Sequence, residues 1–231
     1  MFKKLIIGAI SASFVVSAAF ADSTNVGFRV SAANLAASGT STQDSSSVNS
    51  GGAQLTHTSR DGSFKLPSLF VERQIDTNAS GLSIIVGLDF VPLTESVATL
   101  GGGNGTDAEV NAGNLVTTYI QPTFAINDTL SVFAKAGYAV GDLEIDNITR
   151  QATTDGAPDA ASTDTSADHT LAGPVYGVGV QLNRSIGLLD FVRLEVTRTD
   201  FDQITHVNSN SKVLTADAEM KLITLTIGKS F

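Results

Sequence analysis

Lys221-Leu222-Ile223-Thr224-Leu225-Thr226-Ile227-Gly228-Lys229-Ser230-Phe231 are the last residues of a chain of 231. Ile223, Leu225 and Ile227 alternate with Thr224, Thr226 and Gly228. A period of two sends successive side chains to opposite faces, which is the signature of a strand and not of a helix. The same period recurs upstream. Val26, Phe28, Val30 and Ala32 alternate with Gly27, Arg29, Ser31 and Ala33. Ile84, Val86, Leu88 and Phe90 alternate with Ser83, Ile85, Gly87 and Asp89. Leu130, Val132, Ala134, Ala136 and Tyr138 alternate with Ser131, Phe133, Lys135 and Gly137. Tyr176, Val178, Val180 and Leu182 alternate with Val175, Gly177, Gly179 and Gln181, and Val192, Leu194 and Val196 with Arg193, Glu195 and Thr197. Two weaker segments, near 66–75 and 115–125, complete the set; the second contains Pro122. Eight strands of about 9–11 residues result, the length of a tilted strand that crosses a bilayer.

The connections alternate in length. After the first, third, fifth and seventh strands come long polar stretches, near 34–63, 93–113, 143–169 and 200–215. After the second, fourth and sixth come short ones, 76–81, 127–129 and 184–190. Short turns at one end and long loops at the other is the pattern of bacterial membrane barrels. A soluble eight-stranded barrel of lipocalin type is the alternative. Its outward face would be rich in Lys and Glu. Here the polar set is mostly Gly, Ser, Thr and Ala, which suits a narrow, filled interior. The Val, Ile, Leu and aromatic set then faces lipid, and closure satisfies every backbone group there.

Composition agrees. The chain has 14 Lys+Arg, 23 Asp+Glu, no Cys and a formal charge of −9, with only 16% charged residues. Ordinary soluble domains carry about 25%. The acidic balance excludes a general nucleic-acid binder. The lack of Cys excludes a disulfide scaffold and a thiolate metal site. Residues 1–21 read as a cleaved secretory signal: Lys3 and Lys4, an apolar run from Leu5 to Val16, then Ala19 and Ala21 at the −3 and −1 positions. The mature barrel is then expected at 22–231, at a charge of −11 once Lys3 and Lys4 are gone. No later run approaches 18 apolar residues, so no helix spans a membrane.

The closing stretch resembles the final strand of outer-membrane β-barrel proteins, whose terminal Phe and alternating apolar residues are read by the barrel-assembly machinery. The resemblance implies that Phe231, Ile227 and Leu225 form that assembly signal. Phe191 to Phe201 is similar to the penultimate strand of small OmpA/OmpX-like barrels. The expected fold is therefore all-β: an eight-stranded antiparallel up-and-down transmembrane β-barrel with short periplasmic turns and long extracellular loops. The expected place is the bacterial outer membrane, in contact with its lipid and lipopolysaccharide. The expected role is non-enzymatic, structural or adhesin-like, through acidic loops facing an extracellular ligand or host surface, with no cofactor. A narrow solute pore is the alternative, and a lipid-modifying enzyme the third reading. Two features depart from the family. Lys229 stands where an aromatic or apolar residue is usual, and with no Trp an aromatic girdle rests on Phe28, Phe90, Tyr119, Phe124, Tyr138, Tyr176 and Phe231.

Strand parity turns Arg29, Lys135 and Arg193 inward together with Glu72, Asp89 and Glu195. Ions in a narrow lumen must be paired. They form either a selectivity ring or, as the equal count of signs favours, a neutral network that plugs the bore. Arg73 and Arg198 fall on the outward parity and can snorkel toward headgroups. Asp142, Glu144 and Asp146 share one face if their strand continues above the membrane, a spacing that could hold Ca²⁺ or Mg²⁺. A solvated acidic loop is the plainer account. His57, His169 and His206 all fall in the long loops. His57-Thr58-Ser59 resembles the H-x-S element of lipid A deacylases, but lies in a Ser/Gly-rich stretch expected to be loop. A ten-stranded barrel would follow if the first loop, which includes 54–57, held another hairpin.

Overall fold

The computed structural model describes residues 23–42, 56–77, 79–92, 95–101, 106–150, 166–207 and 213–231. All its regular structure is strand. In chain order these are β1 (Ser23–Thr42), β2 (Thr56–Asp76), β3 (Leu82–Val91), β4 (Glu95–Gly101), β5 (Thr106–Ala125), β6 (Leu130–Arg150), β7 (Ser166–Ile186), β8 (Leu189–Val207) and β9 (Val213–Ser230). Each pairs antiparallel with its neighbours in the order β3-β2-β1-β9-β8-β7-β6-β5-β4, and a further β3–β5 pairing shuts the ring. β3 and β4 both pair with β5, at 115–124 and 107–112 of β5 respectively, so they are two pieces of one stave interrupted around Pro92. Nine strands thus make the eight staves expected, and the ten-stranded variant is not what closes.

Strand length is where expectation fails. Most staves run 18–21 residues rather than 9–11. The paired backbone continues well into stretches that composition reads as loop. Alternating hydropathy marks only the part of each strand that has an apolar outer face; above it the ladder persists with a polar outer face. His57-Thr58-Ser59 is one consequence. It lies in β2, paired with Thr40, Gly39 and Ser38, and not in a loop.

At the other end the turns are short. Gly81 and Gly187 take positive φ (78° and 63°), the left-handed conformation that glycine adopts without a Cβ clash. Gly187-Leu188 alone joins β7 to β8, a two-residue hairpin. The side chain of Asn127 accepts from the backbone N–H of Thr129 and Leu130, both at 2.9 Å, which sets the turn into β6. Pro122 is tolerated inside β5 because it pairs with Ile84 on one side while the ladder to β6 carries no pair at Gln121 or Pro122.

Candidate functional site

Inward side chains fill the barrel in two tiers. The tier nearer the turns is charged and converges on Glu72 of β2. Arg193 of β8 grips this carboxylate with both terminal nitrogens, Nη1 to Oε1 at 2.6 Å and Nη2 to Oε2 at 2.8 Å. Arg29 of β1 donates to the same Oε1 at 2.8 Å, and the Tyr119 hydroxyl donates to it at 2.5 Å. Arg29 also stands 3.6 Å from Asp89, which accepts from the Ser68 hydroxyl at 2.8 Å. Beside this cluster Lys135 donates to both oxygens of Glu195, at 2.7 and 2.5 Å. All six residues expected in the lumen are therefore there, three of each sign. Five of them are buried; Asp89 is only partly so.

Aromatic rings complete the tier. Arg29 lies 4.5 Å from the centroid of Phe70, Lys135 4.4 Å from Tyr119 and Arg193 4.6 Å from Phe191, each a cation–π contact. The rings fit because glycine lies under them on the next strand. A Cβ on Gly87 would come within 2.3 Å of Tyr119, and one on Gly228 within 2.2 Å of Phe191. Tyr119 is thus an interior residue and no part of an outer girdle. The signal for it was the alternation of Thr117, Tyr119, Gln121 and Thr123 against Ile120, Pro122 and Phe124 in a segment too weakly patterned to be parsed.

The second tier lies toward the long-strand end and is apolar. Leu35, Leu66, Leu143, Leu171, Phe201 and Met220 are all buried there in one cluster. The outer wall is the reverse of a soluble protein's. Leu69 is 55% exposed, Val178 63%, Leu194 51% and Ile223 57%. A belt of this kind around the whole wall far exceeds the apolar patches that water tolerates. Charges inside and aliphatic side chains outside, on a sheet without free edges at that level, is the solution a bilayer imposes.

The fold is that of a small outer-membrane β-barrel. No protein-family model matches the sequence, and no curated protein does. Among solved structures the barrel is similar to the attachment invasion locus protein Ail of Yersinia pestis, with 11% identity and a TM-score of 0.36 over 86% of this chain and 98% of that one. It is similar to Neisserial surface protein A, with 12% identity and a TM-score of 0.40 over 90% and 99%. It is also similar to the outer membrane protease OmpT from Escherichia coli, with 8% identity and a TM-score of 0.48 over 91% and 97%. These likenesses are loose, and the barrel is evident from its own strand closure and inverted packing.

The rim near the turns explains Lys229. Its ammonium meets Asp190 at 2.9 Å, and the Ser230 amide donates to the same carboxylate at 3.0 Å. The Lys229 contact first, and that amide second, hold the Asp190 carboxyl below its ordinary range. Phe231 exchanges two backbone hydrogen bonds with Thr24, both 2.9 Å, and its ring is 75% exposed. Leu225 points to lipid on the same stave, and Ile227, half-buried, shares its outward parity. Asp142 and Glu144 point outward from β6 on one face, with Asp142 accepting from Asn114 at 3.2 Å. The side chain of Asp146 lies outside the described residues. Among those described, no three His, Asp or Glu side chains gather as a metal would need. The side chains of His57 and His206, and the signal residues Ala19 and Ala21, also lie outside them.

Proposed function

We propose that the chain is a non-enzymatic outer-membrane barrel that acts as a closed stalk, carrying an acidic outer wall and its loops away from the cell surface toward an extracellular ligand or host surface. Two observations support this. The lumen is filled twice over, by the Glu72 ion cluster and by the apolar tier, so an ion crossing it would have to break buried pairs and then part a hydrophobic core. The wall also continues past the lipid belt. On β6 the twelve residues from Ala139 to Arg150 follow the belt residue Tyr138. At about 3.4 Å per residue and a tilt near 40° they rise roughly 30 Å. The outward side chains near that level include Asp142, Glu144, Asp200, Asp202, Asp217 and Glu219.

The partners this reading implies are outer-membrane lipid and lipopolysaccharide around the belt, the assembly machinery at the Phe231 strand, and the extracellular ligand above. Conductance in planar bilayers tests the closed stalk. The refolded protein should give no stable openings at any applied voltage. Reproducible unitary steps from the wild-type chain would overturn the proposal in favour of a pore.

A further inference from the structure

The lipid-facing wall is not uniform. Across β2, β1, β9, β8 and β7 it carries a groove of about 830 Å³ with a strongly apolar floor. Strand register defines its floor as one level: Ala32 pairs with Ile223, Ile223 with Val196, and Val196 with Val178. The small side chain of Ala32 makes the hollow. Three cations line it: Lys221 from β9 and Arg198 from β8, paired one level above this floor, and Lys65 from β2, paired with Ala32 itself. Tyr176 flanks them, at the height where aromatic side chains meet headgroups.

The cations are held outward and keep donors free. Arg198 gives Nε to Asp200 at 2.7 Å and Nη2 to Glu219 at 2.9 Å. Lys221 gives one proton to Glu219 at 2.8 Å. A guanidinium has five N–H donors and an ammonium three, so both retain capacity for an anion. The acids sit one level further from the membrane and prop the cations over the groove. Arg198 and Lys221 are cross-strand neighbours. Lys65 pairs with Ala32 and Lys221 with Asn34, so the two lie two strand spacings and two residues apart, roughly 12 Å. The site thus offers two positive poles, Lys221 with Arg198 above a trough for hydrocarbon and Lys65 beside it.

We propose that this groove binds one phosphorylated glycolipid of the outer leaflet, with one phosphate on Lys221 and Arg198, a second on Lys65, and acyl chain along Ala32, Ile223 and Val196. The proposal rests on the outer-membrane reading above and makes the lipid contact a specific site rather than a uniform annulus.

Native mass spectrometry of the folded, detergent-solubilised chain tests it. The probes are diphosphoryl lipid A, monophosphoryl lipid A and phosphatidylethanolamine at equal concentration. The wild type should retain a single diphosphoryl lipid A in preference to the other two. K65Q with K221Q should weaken that retention about tenfold or more, the equivalent of one or two charge-assisted hydrogen bonds. K229Q, at the opposite rim, should leave it unchanged. Equal retention of all three lipids by the wild type would overturn the proposal, as would unchanged retention in the K65Q/K221Q variant. Slower migration on heating, read on the same samples, separates the two levels of failure. If the folded form is absent, the barrel reading itself fails; if it is present without lipid preference, only the site fails.

Discussion

Glu72 is a single buried carboxylate that takes hydrogen bonds from Arg29, Arg193 and Tyr119. Removing its charge leaves Arg193 without its carboxylate and Arg29 with Asp89 alone, 3.6 Å away. Breaking one partner of a buried pair costs about 3–5 kcal/mol, because an uncompensated ion remains. Glu72→Gln should therefore lower the unfolding free energy of the barrel in lipid vesicles by that order, read from the urea dependence of the fraction that keeps its fast unheated migration. Arg193→Met in the same chain removes one stranded ion. The double variant should be less destabilised than the sum of the singles, with a coupling of about 1–3 kcal/mol. Additive effects would mean that the two groups do not share the energetic unit their geometry describes.

At the scale of the strand, curvature and filling are solved together by setting an aromatic ring on one stave over a glycine on the next. Gly228 of β9 and Phe191 of β8 are a clear case, since the three atoms nearest a Cβ at 228 all belong to the Phe191 ring. Gly228→Val should reduce the folded fraction after dilution from urea, at an overpacking cost of about 1–3 kcal/mol. Phe191→Ala added to it should restore folding in part, because the obstructing ring is gone. A backbone requirement at 228 would show no such rescue. Strand length belongs to this scale as well. The period-two hydropathy of Leu130 to Tyr138 marks where β6 crosses lipid, yet the ladder runs on to Arg150. Hydropathy reports the solvent on each face; hydrogen-bonded pairing depends on the neighbouring strand, which no local pattern contains.

For the molecule as a whole, the two tiers close the lumen independently. Phe201→Ala with Met220→Ala empties part of the apolar tier, where large-to-small changes cost about 2–5 kcal/mol each. Amide exchange in lipid discs should then quicken in the strand ends above Tyr138 and Tyr176, while the belt segments such as Val192 to Val196 stay slow. The variant should still not conduct, because the Glu72 cluster below remains paired. Channel openings in it would show that the ion cluster alone does not seal the bore.

The chain's own order of residues determined the strand period, the face each side chain takes and the equal count of inward charges. Those properties are local: alternation along an extended backbone sets the direction of every Cβ without reference to other strands. It placed Arg29, Glu72, Asp89, Lys135, Arg193 and Glu195 inside. It misplaced Tyr119, whose segment is interrupted by Pro122 and carries a weak alternation. Only the tertiary structure decided that eight staves close the ring and that Glu72 meets Arg193 across 121 residues of sequence. It alone decided that Lys65, Lys221 and Arg198 line one groove. Each depends on register and on which strands are neighbours around the ring, quantities set by closure of the whole sheet and by no single strand within it.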